Sequence, residues 1–168
     1  APALKLGEAA LALNPKDAWA AHGVAHVLYE TGDSARGISF LPPALERCDQ
    51  LGPFRVHLTW HLALFHLGAG EYDRVMEIYR RGIRIRRDQV RQELDDAISL
   101  LWRSQLYGRD VRELWGDLAQ AARARILLPN LIFHDLHLGM AMAAAGDAEG
   151  VERQLAHLSE RATRSSNP

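Results

Sequence analysis

The chain has 168 residues, enough for one domain with a real core, and 20 Lys+Arg against 21 Asp+Glu give it a formal charge of -1. That balance excludes whole-molecule attraction to nucleic acid or to an anionic membrane, so neither is an expected partner. Its single cysteine, Cys48, cannot form an internal disulfide and suits a reducing compartment; no apolar run nears the roughly 18 residues of a membrane span, and the expected location is cytoplasmic.

The leading segment, with Ala3, Leu4, Gly7, Ala10 and Leu11, predicts a helix over 2–13 that Asn14-Pro15 closes. It reads as the second helix of a hairpin lacking its first, which would make the chain a piece of a longer protein. Helices follow at 17–31 and 33–41, the latter expected to stop at Pro42-Pro43 because neither residue can donate a backbone hydrogen bond. A loop through Cys48 is then expected to fold over one face. The remaining helices are predicted at 54–69, 71–84, 90–107, 111–127, 130–145 and 148–163, with Trp19, Leu28, Tyr29, Leu62, Phe65, Trp102, Leu106, Trp115 and Phe133 expected mostly in the core.

Four turn signals punctuate this series: Gly32-Asp33, Gly70-Glu71, Gly108-Arg109-Asp110 and Gly146-Asp147. Each pairs a glycine suited to a helix C-terminus with an acidic residue suited to the next helix start. Successive glycines stand 38 residues apart. A constant long period with helical signals on both sides predicts stacked helix pairs, at about 17–47, 54–84, 90–127 and 130–163, behind one leading helix. Seven residues before each glycine come Ala25, Ala63, Leu101 and Gly139, mostly small, as a close helix crossing requires. Five after come Gly37, Val75, Glu113 and Val151; nine after come Leu41, Tyr79, Asp117 and Leu155. The third pair departs from the pattern and is expected to re-register around Leu114, Trp115 and Leu118.

Small residues, a turn glycine and a closing proline at these positions resemble the tetratricopeptide repeat, although that family's units are shorter. The stretches His22-Gly-Val-Ala-His26-Val-Leu, His57-Leu-Thr-Trp-His61-Leu-Ala-Leu-Phe65-His66, Asp96-Ala-Ile-Ser-Leu-Leu-Trp102-Arg and Phe133-His134-Asp135-Leu136-His137 are similar, more specifically, to the tetratricopeptide repeat protein 38 family. The resemblance spans most of the chain and matches that family's C-terminal part. It implies an all-α, right-handed superhelical solenoid, a single domain over 1–168, and an interaction scaffold rather than an enzyme. No catalytic activity comes with it.

Seven of the eight histidines, at 22, 26, 57, 61, 66, 134 and 137, fall on predicted first helices, and only His157 on a second. In such repeats the first helices line the concave surface. Its facing positions select His22, His26, His57, His61, Asp95, Ser99 and His137, with Trp60 and Trp102 alongside, while His66 is expected to face its partner helix. His22 with His26 and His57 with His61 are spaced four apart, so each pair shares a helix face.

Three chemistries suit such a wall. A groove of this kind binds a protein, peptide or small molecule, the leading expectation, for which no cofactor is needed. Two paired histidines on neighbouring helices also suit a divalent metal, with His22, His26, His57, His61, Asp96 and His134 as candidate ligands and Asp95 as an oxygen ligand or orienting group. Acid–base chemistry on the same imidazoles is the third, although no nucleophile with a base is recognisable and neither pair reads His-Glu-x-x-His. Against all three stands a polar seam in which the histidines bond one another, the aspartates and the indoles. Convergence discriminates: ring nitrogens meeting around one point favour metal, whereas a separate protein partner for each ring favours the seam. Arg80, Arg81, Arg84, Arg86, Arg87 and Arg91 are expected as a solvated helix end, Cys48 as an ordinary thiol, and the open solenoid ends as sites of self-association.

Overall fold

The computed structural model describes residues 2–47, 53–84, 91–128 and 131–165. Among them the structure is all-helical: α1 (Pro2–Leu13), α2 (Ala18–Glu30), α3 (Ser34–Arg47), α4 (Pro53–Gly68), α5 (Tyr72–Ile78) continued by a π-helical turn at Tyr79–Ile83, α6 (Arg91–Leu106), a 3₁₀ turn at Arg112–Leu114, α7 (Trp115–Arg123), α8 (Ile132–Ala144) and α9 (Ala148–Ser165). No described helix is long and apolar enough to cross a membrane.

Packing divides the chain into two compact units, Ala1–Arg84 and Ile85–Pro168, where the sequence reads as one repeat domain. In the first unit each helix from α1 to α5 packs on the next, and α2 also touches α4. Val24, Leu28, Leu41, Leu58, Phe65 and Ile83 are buried there. In the second unit α8 packs on α6, α7 and α9, around Ile98, Leu101, Trp115, Leu118 and Leu138.

The four periodic glycines are where the 38-residue pattern becomes geometry. Gly32, Gly70, Gly108 and Gly146 have φ of 71, 76, 78 and 73° and are the left-handed residues of the described chain. Each ends its helix in the same way. The glycine N–H bonds the carbonyl three residues back and the next N–H bonds the carbonyl five residues before it, as in Gly32 to Tyr29 (3.0 Å) and Asp33 to Leu28 (2.9 Å). This Schellman pair satisfies carbonyls that a helix end leaves open, and needs a residue without a Cβ penalty at positive φ.

The following helix starts less uniformly. Asp33 and Asp147 carboxylates accept the N–H of Arg36 (3.2 Å) and Gly150 (3.0 Å), as helix-starting residues should. Glu71 makes no such cap; its carboxylate is 2.6 Å from His66 Nδ1 instead.

Three expectations are corrected. Helix α3 runs through Pro42 and Pro43 to Arg47 instead of stopping at 41. Leu41, Ala44 and Leu45 are buried on one face while both prolines are exposed on the other, so the two missing backbone bonds fall on the wet side, where water can take the freed carbonyls. The Arg55 guanidinium also bonds the Leu45 carbonyl. The helix expected over 111–127 is reduced to the 3₁₀ turn and α7, because the Asp110 carboxylate bonds both the Arg112 N–H (3.2 Å) and its guanidinium (2.9 and 2.7 Å), winding a tight turn first. Of the residues around which the third pair is expected to re-register, Trp115 and Leu118 are buried and Leu114 is half-buried at the end of the 3₁₀ turn.

The third correction concerns the aromatic and aliphatic stripe. Leu28, Leu62, Phe65 and Trp115 are core, but Trp19, Tyr29, Leu106 and Phe133 are exposed. Helical spacing identifies a face, and α2, α6 and α8 turn those side chains to the surface. Cys48, Arg86 and Arg87, with the loop expected through Cys48, lie outside the described residues, while Arg80, Arg81 and Arg84 are exposed as a solvated helix end requires.

Candidate functional site

The first unit brings four histidines together. His22 and His26 stand one turn apart on α2, and His57 and His61 one turn apart on α4, so the contact of α2 with α4 makes a four-cornered set out of two helical pairs. One ring nitrogen from each can be chosen so that all four lie within 4.8 Å of one another. The His22 Nε2 is 3.0 Å from both the His57 Nε2 and the His26 Nε2. His61 sits beneath, its ring centroid 4.6 Å from His26 and 4.9 Å from both His22 and His57. From floor to rim, His61 is 1% exposed, His22 and His57 are half-buried and His26 is exposed.

Hydrogen bonding does not account for this geometry. An imidazole nitrogen carries either one N–H or one in-plane lone pair, so His22 Nε2 cannot make two full hydrogen bonds at once to the nitrogens on either side of it. His61 goes further. Both of its ring nitrogens are buried without a hydrogen-bond partner among the described residues, an arrangement that native structures rarely leave unanswered.

Burial and the neighbouring rings favour the neutral form of His61, His22 and His26. Burial, reinforced by His57, His26 and His22, holds the His61 imidazole down at about 2, and burial with His26 and His57 holds His22 at about 4. His26 is also lowered, by burial and then His57, against an upward pull from Glu30. Neutral imidazole is the form that ligates metal. Tetrahedral zinc with Zn–N of 2.0–2.1 Å places neighbouring nitrogens about 3.3 Å apart, within the range this cluster spans.

An aromatic wall stands around the four rings. His57 stacks on Trp60 at 5.3 Å and 15°, Phe54 packs edge-on against His22 at 5.4 Å, and Trp19 meets Phe54 at 4.4 Å. Trp19 and Phe54 were not among the candidate site residues. The signal was available: Trp19 precedes His22, and Phe54 precedes His57, by three residues, the spacing of neighbours on a helix.

The other candidates lie in the second unit and are engaged there. His134 Nδ1 bonds the Asp95 carboxylate, which is buried and whose pKa is raised above the usual carboxylate range by that burial, against the opposing pull of His134. Asp96 is buried, and so is Ser99, whose hydroxyl accepts from Arg103 at 2.5 Å; neither presents an open groove surface. His137 Nδ1 donates to the Phe133 carbonyl at 2.8 Å, and Trp102 is half-buried. His66 is buried and bonded to Glu71 across the α4–α5 turn.

No protein-family model matches the chain, and no solved structure matches it significantly.

Proposed function

We propose that the first unit is a metal-binding module in which a divalent first-row transition ion, zinc in the simplest reading, is held by His22, His26, His57 and His61. The observation that carries this is His61, whose two ring nitrogens are buried without partner beneath three other imidazoles. An all-imidazole set suits zinc, copper or nickel and is poor for magnesium or calcium, which take oxygen ligands. Two ligands from α2 and two from α4 make the ion a clamp between the first helices of successive pairs.

The reading keeps the tetratricopeptide-type scaffold, supported by the 38-residue period and its four like helix ends, and gives its groove a chemical point of attachment. Four neutral ligands leave the ion its full positive charge. That charge, reached past exposed His26, suits an anionic group on a peptide or small molecule.

Elemental analysis of purified, tag-free protein, paired with the thermal midpoint before and after chelation, tests the metal reading. Near-stoichiometric metal and a midpoint that falls on chelation are expected. Metal-free protein whose midpoint does not respond to added zinc, copper or nickel refutes it and returns the four rings to a structural seam.

A further inference from the structure

A second site lies in the other unit and is independent of the metal reading. Between α8 and α9 is a cavity of about 290 Å³, lined by Ile132, Leu136, Gly139, Val151, Gln154 and Leu155 among others. Ile132, Leu136 and Leu155 are exposed at its rim. Gly139 leaves the floor open: the nearest atom that a Cβ there would meet is Gln154 Oε1, at 3.8 Å.

Gln154 is the polar element. It is 3% exposed, and its amide nitrogen donates to the Asp135 carbonyl at 2.5 Å, which fixes the direction of the amide. Its Oε1 is left as a buried acceptor with no partner among the described residues. Asp135 does not supply a donor, since its carboxylate already takes Arg161 at 2.7 Å. A buried amide oxygen in an apolar cavity calls for a donor from whatever fills it. The same unit shows the chemistry that answers it, for the Trp115 indole N–H donates to Gln105 Oε1 at 3.0 Å.

We propose that this cavity binds a free, flat, apolar molecule of indole size carrying one N–H or O–H donor, placed with that donor on Gln154 Oε1. The α8 lining from Ile132 to Gly139 spans about 10 Å of helix, room for one fused ring system rather than for the several side chains of a docked helix.

Indole and N-methylindole are the probes, the second keeping the shape and losing the donor. In a titration of the nitrogen-labelled full chain followed by NMR, indole is expected to bind saturably and to move the Gly139 amide and the Gln154 side-chain amide. N-methylindole should bind about tenfold more weakly. Gly139→Val should abolish binding by filling the floor, and Gln154→Leu should make the two probes bind equally. Equal affinity of both probes for the wild type, shifts confined to other residues, or no saturable binding of either at millimolar concentration overturns the proposal. So do shifts at Ile132 and Leu155 that depend on protein concentration without any probe, which would identify the cover as a second copy of the chain.

Discussion

Replacing His61 by leucine, a residue of similar volume, separates a metal centre from a hydrogen-bonded seam because the two predict opposite signs. In the metal-free protein His61 holds two buried nitrogens without partner, and one such group costs about 1–3 kcal/mol. Leucine removes that penalty and keeps the fill against the neighbouring rings, so His61→Leu is expected to stabilise the chelated protein by about 1–3 kcal/mol. Zinc reverses the comparison: at a hundredfold excess over its dissociation constant it adds about 2.7 kcal/mol to the wild type and little to a variant lacking the most buried ligand. Urea unfolding followed by circular dichroism, with chelator and with zinc, reads both numbers. A variant that loses stability in chelator, or one that keeps the wild-type response to zinc, would refute the reasoning.

Acid should unfold the chelated protein earlier than its carboxylates require. The folded-state pKa values of His22 and His61 lie below the unfolded value near 6.5, so the unfolded chain binds more protons under that pH, and the stability present above it is lost as pH falls. His61 alone contributes about 1.4 kcal/mol per pH unit below 6.5, so the urea midpoint should drop between pH 7 and 5 in the wild type and clearly less in His61→Leu; a flat wild-type profile contradicts this. Gly37→Ala should destabilise the first unit by about 1–3 kcal/mol, since a Cβ there runs into the Phe65 ring of α4; an unchanged midpoint would show that the crossing yields. Pro43→Ala should stabilise by about 1–2 kcal/mol, the gain of a helix-interior bond at an exposed position less the looser unfolded chain, and a loss of stability would show that α3 needs its proline.

What could be read from the residues divides along a physical line. Helix ends set by single residues were legible: Gly32, Gly70, Gly108 and Gly146 announce positive φ wherever they close an apolar helix, and all four take it. Features decided by which side of a helix faces solvent were not. Pro42 and Pro43 look like a stop until Leu41, Ala44 and Leu45 show that the missing bonds face water, and Trp19 looks like core until α2 turns it outward over Phe54. The histidine pairs were visible as pairs because four residues make one helical turn. Their meeting was not, since the pairs stand 35 residues apart in a 38-residue repeat, and only the placement of α4 on α2 determines whether that offset brings the rings together. Gln154 gave no signal at all, because an unpartnered amide oxygen exists only once its other partners are in place.

The four imidazoles all come from residues 22 to 61, with only α3 between the two helices that carry them. A centre so local in sequence asks little loop closure of the chain, and contacts of short separation form fast. On the proposed metal reading, an ion would gather α2 and α4 once α4 has left the ribosome, before the synthesis of Ile85–Pro168 is complete. On that reading the first unit would have its own order of assembly, and metal supply during translation, as well as in the finished protein, would bear on its stability.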